Sequence, residues 1–322
     1  MSRHCLYAAA WMAAALVALC ACRREPLYER VDNVELRLDV DLALDDPVMW
    51  KKPTQPTLFR ALFYDPVTHE KVGDMHCGPD GGRVYGVQPG RSYDVLVYND
   101  DFEYTRIRDD ANFNTILAYT DPVDADAKEK YRSEVRGDGS KATDPIIVRE
   151  PDHLLVARNP NLQIPYLSDR DTTFTIHAKL STILDSYYIQ VDSLKGLENI
   201  STVGIYLSGH SSSNRIGPNV RSHEAVTLYF PCYVDLARYC LRTTFNTFGK
   251  LPYIDGDAKV QIVVMGDGGR IYNFDQDITE QYNNPDHRLI LTVHGTIEPR
   301  EQGGFVPEVH EWEEEEDYID IK

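Results

Sequence analysis

Gly209-His210-Ser211-Ser212-Ser213 places an imidazole beside three hydroxyls, the groups from which a nucleophile and its base are made. A triad draws its members from separate parts of a fold, because adjacent residues rarely present the geometry it needs, so the run reads as a polar loop. Asp255-Gly256-Asp257 and Asp267-Gly268-Gly269 bracket the apolar run 260–265. Asp-Gly pairs are first of all turn chemistry, and their spacing lacks the ordered oxygen ligands of a calcium loop. Asp124-Ala125-Asp126 fails the same test, since Lys128 stands at the next ligand position. The sequence contains no His-Glu-x-x-His, Gly-x-Ser-x-Gly, Gly-x-x-x-x-Gly-Lys-Ser/Thr or complete Gly-x-Gly-x-x-Gly. With 51 acidic residues, a carboxylate pair of the kind that hydrolyses glycosides would arise by chance in any cleft. No catalytic, cofactor-binding or metal-ligating residue is expected, and the chain reads as a non-enzyme.

Cys22 carries a different chemistry. Arg3 and His4 open the chain with positive charge, residues 6–21 are uncharged, and Arg23-Arg24-Glu25 ends the run. At 16 residues the run falls short of the ~20 of a membrane-spanning helix and fits a secretory signal peptide, cut after a small residue. Leu19-Cys20-Ala21-Cys22 resembles the bacterial lipobox, in which the last cysteine receives a diacylglycerol and becomes the new N-terminus. Cys22 is thus expected to be the lipidated (palmitate-bearing) residue; an ordinary signal peptide with Cys22 as a bystander is the plainer reading. Two or more acyl chains hold a protein on a bilayer stably, whereas one is reversible.

The net charge of −18, or −19 once Arg3 leaves with the leader, offers nothing to a phosphate backbone, so nucleic acid is excluded as a partner. The 20 Tyr and 18 Pro against 5 Met suit a β-rich extracytoplasmic protein. Beyond Cys22 the mature cysteines are Cys77, Cys232 and Cys240. One must stay unpaired; a Cys232–Cys240 bridge and three small buried hydrophobes are both open.

Val34, Leu36, Leu38, Val40, Leu42 and Leu44 alternate with mostly charged residues, the period of a long strand with one buried and one wet face. Short runs at 58–64, 83–87, 93–98, 174–180, 187–191, 203–207, 225–230, 260–265 and 289–294 follow, with turn chemistry between them, a spacing that argues for β-sandwiches. One surface helix is expected over 121–136, with Asp121 as N-cap, Pro122 at its first position, early acids and late bases. Pro160 and Pro165 break both helix and strand and mark a boundary. The expected organisation is a signal peptide at 1–21, a lipid-anchored tether at 22–32, sandwiches at 33–167 and 168–300, and an acidic tail at 301–322. That tail carries Trp312, Glu313-Glu314-Glu315-Glu316-Asp317 and Tyr318-Ile319-Asp320-Ile321.

The lipobox at Cys22, Phe63-Tyr64-Asp65-Pro66 before a turn, and Pro89-Gly90-Arg91-Ser92-Tyr93-Asp94-Val95-Leu96-Val97-Tyr98-Asn99 come in an order that resembles the FimB-like fimbrial anchor and tip lipoproteins of the Bacteroidetes. Ser208-Gly209 closing a strand, and Gly303-Gly304 before Trp312, belong to the same set. The resemblance implies an all-β fold of two tandem transthyretin-like sandwiches. It also implies a fimbrillin-like, lipid-anchored cell-adhesion protein at the outer-membrane surface, joined to other fimbrial subunits by β-strand addition. Polymerising subunits are cut after an Arg and lose their first strand. Arg30 and Arg37 are the candidate points here, and Arg37 would be protected if its strand is docked. The competing expectation is a tethered glycan-binding module with Trp50 and Trp312 on an aromatic platform; a host protein or glycan is then the ligand.

Overall fold

Leu36 and Leu38 are buried while Glu35, Arg37, Asp39 and Asp41 are exposed, so strand β1 (Asn33–Leu42) has the wet and dry faces its alternation requires. The computed structural model describes residues 33–42, 48–123, 146–166, 173–251 and 258–300. β1 is the middle strand of a three-stranded layer, antiparallel to β4 (Gly82–Tyr85) and parallel to β10 (Thr173–Thr182). The opposing layer runs β3 (Lys71–Cys77), β2 (Phe59–Tyr64), β5 (Ser92–Asn99), β9 (Leu155–Gln163). β10 belongs to both: residues 173–180 pair with β1, then Ser181 and Thr182 cross to β9. Leu36, Leu38, Phe63, Val97, Ile176 and Leu180 meet between the layers in one core.

The second sandwich repeats the plan. Its three-stranded layer is β16 (Cys240–Thr247), β11 (Asp185–Lys195) and β19 (Arg288–Thr296), with β11 parallel to β19. Its large layer is β18 (Ile271–Asp277), β17 (Lys259–Gly266), β12 (Ile200–Ser211) and β15 (Ala225–Asp235), extended by β8 (Ile147–Arg149), which arrives from the first half of the chain. β15 is the shared strand here, pairing with β12 as far as Cys232 and with β16 from Tyr233 onward. Ile189, Ile205, Phe230, Phe245 and Ile262 fill the core, with the Phe230 and Phe245 rings stacked at 4.1 Å.

A small third sheet ties the two together. β6 (Thr105–Arg108) and β7 (Leu117–Thr120) from the first half pair on with β13 (Ser213–Arg215) and β14 (Val220–Arg221) from the second. Beneath it Leu62, Tyr98, Ile183, Leu184, Ile216 and Phe248 form one buried cluster, and the Arg158 guanidinium donates to the Ile216 and Gly217 carbonyls.

The all-β, two-sandwich architecture is as expected, with three differences. β10, expected in the second unit, completes the first sandwich, so the step between sandwiches falls at Ile183-Leu184. Pro160 lies within β9, at a bulge where Asn161 takes φ 52° and its N–H donates to the Asp94 carboxylate at 2.8 Å. A proline lacks a donor for the ladder, and a bulge is where none is demanded. Asp121 and Pro122 are not the N-cap and first position of a helix: Pro122 bridges Val148, and Asp121 donates its N–H to the Tyr104 carbonyl and accepts from the Arg149 N–H. The rest of that expected helix lies outside the described residues. The described α-helix is the single turn α1 (Thr279–Tyr282), whose Tyr282 is buried.

Candidate functional site

His210 is fully buried on β12, with Thr247 Oγ1 2.6 Å from Nδ1 and the Tyr282 hydroxyl 3.0 Å from the ring nitrogens. Burial pulls its pKa down to about 3, so it is a neutral core histidine. Ser211 donates to the carbonyls of Ser213 and Ser222, which commits its hydroxyl to the turn. The run expected as a polar loop instead closes β12 and opens β13, with His210 and Ser211 hydrogen-bonded internally. Asp267 accepts from Ser201 at 2.8 Å; Asp124, Asp126, Asp255 and Asp257 lie outside the described residues, among which no cluster of His, Cys, Asp or Glu could hold a metal.

The densest carboxylate grouping joins Asp74 and Asp110 through cations. The Arg60 guanidinium reaches Asp74 at 2.5 Å and Asp110 at 2.7 Å, while Lys71 lies 3.2 and 3.0 Å from the same two. Burial works to raise the Asp74 pKa, but the Arg60 hydrogen bonds outweigh it and hold the carboxyl below its ordinary range. A carboxyl held down in this way stays ionised and cannot serve as a proton donor near neutrality. Glu150 is pushed up by burial, opposed by Lys51 at 2.6 Å, and it accepts from the Asn246 N–H. All three described cysteines are free thiols; Cys232 and Cys240 are buried, and burial raises the Cys232 pKa to about 12, so the small-hydrophobe reading describes that side chain.

The expected assembly device is a strand and the edges that could receive one. Cys22, Arg30 and the tail with Trp312 lie outside the described residues. Arg37 lies in β1, backbone-paired to Thr175, and the Gly81 turn packs directly on it: a Cβ on Gly81 would stand 2.2 Å from the Leu36 carbonyl and 2.7 Å from the Arg37 Cα. A protease needs an extended, accessible segment, and this one is inside a sheet. Among the described residues β18 and β19 each have one hydrogen-bonded neighbour, leaving two rims on the same flank of the second sandwich. They close on each other where Phe274 covers Gly295, whose added Cβ would be 2.7 Å from the ring. Edges of this kind are templates for an incoming strand.

Trp50 sits on the strap between β1 and β2 but packs on the second sandwich. Its Nε1 donates to the Asp286 carbonyl at 2.7 Å and its ring lies 5.2 Å from that of Tyr188. Tyr188, against this ring, and Gln190, two residues on along the open face of β11, were not singled out from the sequence. The signal was present in Tyr188-Ile189-Gln190-Val191-Asp192, where polar groups alternate with buried aliphatics.

A protein of Bacteroides ovatus described as a candidate fimbrium anchoring subunit, Fim4B, is 27% identical over 230 residues, 71% of this chain and 61% of that protein. The chain therefore spans less than two thirds of that relative's length. A crystal structure of a candidate adhesin from Bacteroides ovatus superposes with a TM-score of 0.51 at 24% identity, covering 83% of this chain and 93% of the other. The fimbrial anchor protein Mfa2 of Porphyromonas gingivalis covers 81% of this chain and 90% of its own at 14% identity and a TM-score of 0.43. The resemblance to fimbrial anchor proteins read in the sequence is matched by a relative described as a fimbrium anchoring subunit. Residues 21–231 fit one family model, and the chain belongs to the family described as Domain of unknown function (DUF5119).

Proposed function

We propose that this protein is a non-enzymatic accessory or anchoring subunit of a fimbria, held at the outer membrane through a lipidated Cys22. Its neighbours in the fibre are joined by β-strand addition. The observation that carries the reading is the docked first strand: β1 is hydrogen-bonded on both sides and buries Leu36 and Leu38 in the core. Each fully buried leucine contributes about 2 kcal/mol. A sandwich that keeps its own first strand does not need a neighbour's, which suits a subunit at the end of a fibre better than one along its shaft. The relatives named as fimbrial and adhesin proteins support the same role.

The test is a detergent pull-down of the full-length protein from its own outer membrane, with mass spectrometry of what stays bound, beside a chain ending at Arg300. Recovery of a second β-sandwich subunit of the fimbria, reduced when 301–322 is removed, is the expected result and assigns the joining strand to the tail. Recovery of the protein alone while fimbriae are present would sink the reading. Metabolic labelling with an alkyne fatty acid, abolished by Cys22→Ala, is the expected outcome for the anchor.

A further inference from the structure

The open faces of the two three-stranded layers differ in kind. On the first, β1 and β10 present Glu35, Asp39, Asp41, His177 and Lys179, an ordinary solvated strand face. On the second, the cross-strand rows are Thr244–Tyr188–Arg288 and Arg242–Gln190–Ile290, with Tyr233 beside Arg242. Arg242, Thr244 and Tyr188 of these rows line a shallow, open cleft of about 480 Å³ together with Tyr233, Asp235 and Leu236, and Gln190 lies beside it, opposite Arg242.

Its chemistry is fixed before any ligand arrives. Tyr188 donates to Gln190 Oε1 at 2.8 Å, and Gln190 Nε2 donates to both Asp192 carboxylate oxygens at 2.9 and 3.0 Å. Arg242 is held to Asp235 through Nε at 2.7 Å, which leaves its two terminal amino groups to donate. Tyr188 has Trp50 against its ring and the Arg288 guanidinium 5.6 Å from its centroid. Tyr233 is 64% exposed and Trp50 40%. The charges within the cleft pair off, although the chain as a whole carries −18.

We infer that this face binds a neutral carbohydrate, with sugar rings laid on Tyr188 and Tyr233 and ring hydroxyls bonded to the Gln190–Asp192 and Arg242–Asp235 pairs. A pyranose offers an apolar C–H face and a rim of hydroxyls, and this cleft offers aromatic π-faces beside pre-set planar donors and acceptors. A polyanion or polycation would meet an arginine and an aspartate already paired to each other. A protein partner would meet a charged pair and an amide at the centre, where protein interfaces are depleted of charge. The site does not rest on the fimbrial reading, and its test is separate from the pull-down.

The test is affinity electrophoresis of the full-length protein in detergent, through native gels holding hydroxyethylcellulose, laminarin, galactomannan or pectic galactan. Retardation by at least one polysaccharide is expected. Tyr233→Ala and Tyr188→Ala should each weaken it about three- to tenfold, and Tyr85→Ala, on the open face of the first sandwich, should leave it unchanged. Melting curves of each variant separate lost binding from lost fold, and Tyr233 is exposed enough to be truncated safely. No retardation by any of the four, or retardation that both tyrosine variants leave intact, overturns the inference.

Discussion

The two sandwiches are the same device built twice from unrelated strings of residues. Each sets a three-stranded layer containing one parallel pair, β1 with β10 and β11 with β19, against a larger antiparallel layer, and each lets one strand cross between layers. What differs is what each does with its polar groups. The first sandwich keeps an aliphatic and aromatic core, gathers its partly buried charges into the Arg60–Asp74–Asp110 cluster, and leaves contacts such as His177–Asp39 exposed. The second buries a histidine, a threonine and a tyrosine hydroxyl together at one end and shows tyrosines and amides on its open layer. The plan is a matter of apolar alternation. Specialisation lies in residues to which that alternation is indifferent.

Four substitutions would break or sharpen the contrast. The largest effect is expected from Leu36→Asp in β1 and Ile189→Asp in β11, both at 0% exposure. Each leaves an unpaired charge in a core and should cost about 3–5 kcal/mol. Ile183, Leu184 and the shared small sheet lock the sandwiches together, so each variant should lower one common thermal transition followed by circular dichroism. Two separated transitions would show that the sandwiches melt independently.

Acid should act on the second sandwich first. The folded pKa of His210, about 3, lies below its unfolded value near 6.5, so the unfolded chain takes up the proton in between and stability falls as pH drops through that window. The fall is at most about 1.4 kcal/mol per pH unit. His153, drawn down to about 4 by burial and by Lys51, adds in the same direction. A His210→Gln variant keeps a hydrogen-bonding side chain that cannot charge. Its melting temperature should therefore change less between pH 6.5 and 4.5 than the parent's, and an unchanged slope would show that His210 does not control the loss.

The smallest effect is expected at the charged open face. His177 and Asp39 lie 2.8 Å apart but are 78% and 66% exposed, so His177→Ala should move stability by no more than about 0.5 kcal/mol in urea unfolding. A larger loss would mean that this face is covered in solution and is not merely wet.

Much of this was legible from the chain alone, because a strand's period of two is a local property. β1, β2, β5, β11, β12, β15, β17 and β19 stand where alternation and β-branched or aromatic content placed them. Short strands such as β6, β8 and β13 carry too few residues for a period to show, and β18 has no fully buried residue to mark a face. The structural role of Gly209-His210-Ser211 was not visible in the sequence, because the burial of His210 comes from β16 and α1, remote in the chain.

The amino-acid order by itself determined which segments are strands, which of their faces are dry, and that no familiar catalytic motif is present. Tertiary structure alone decided the partners: that Thr173–Thr182 returns to lie parallel to β1, that Pro160 fits a strand by occupying a bulge, and that Trp50 crosses onto Tyr188. Pairing is a choice among many strands of similar pattern. It is settled by which combination buries every dry face and satisfies every backbone donor at once, and no stretch of sequence carries that sum.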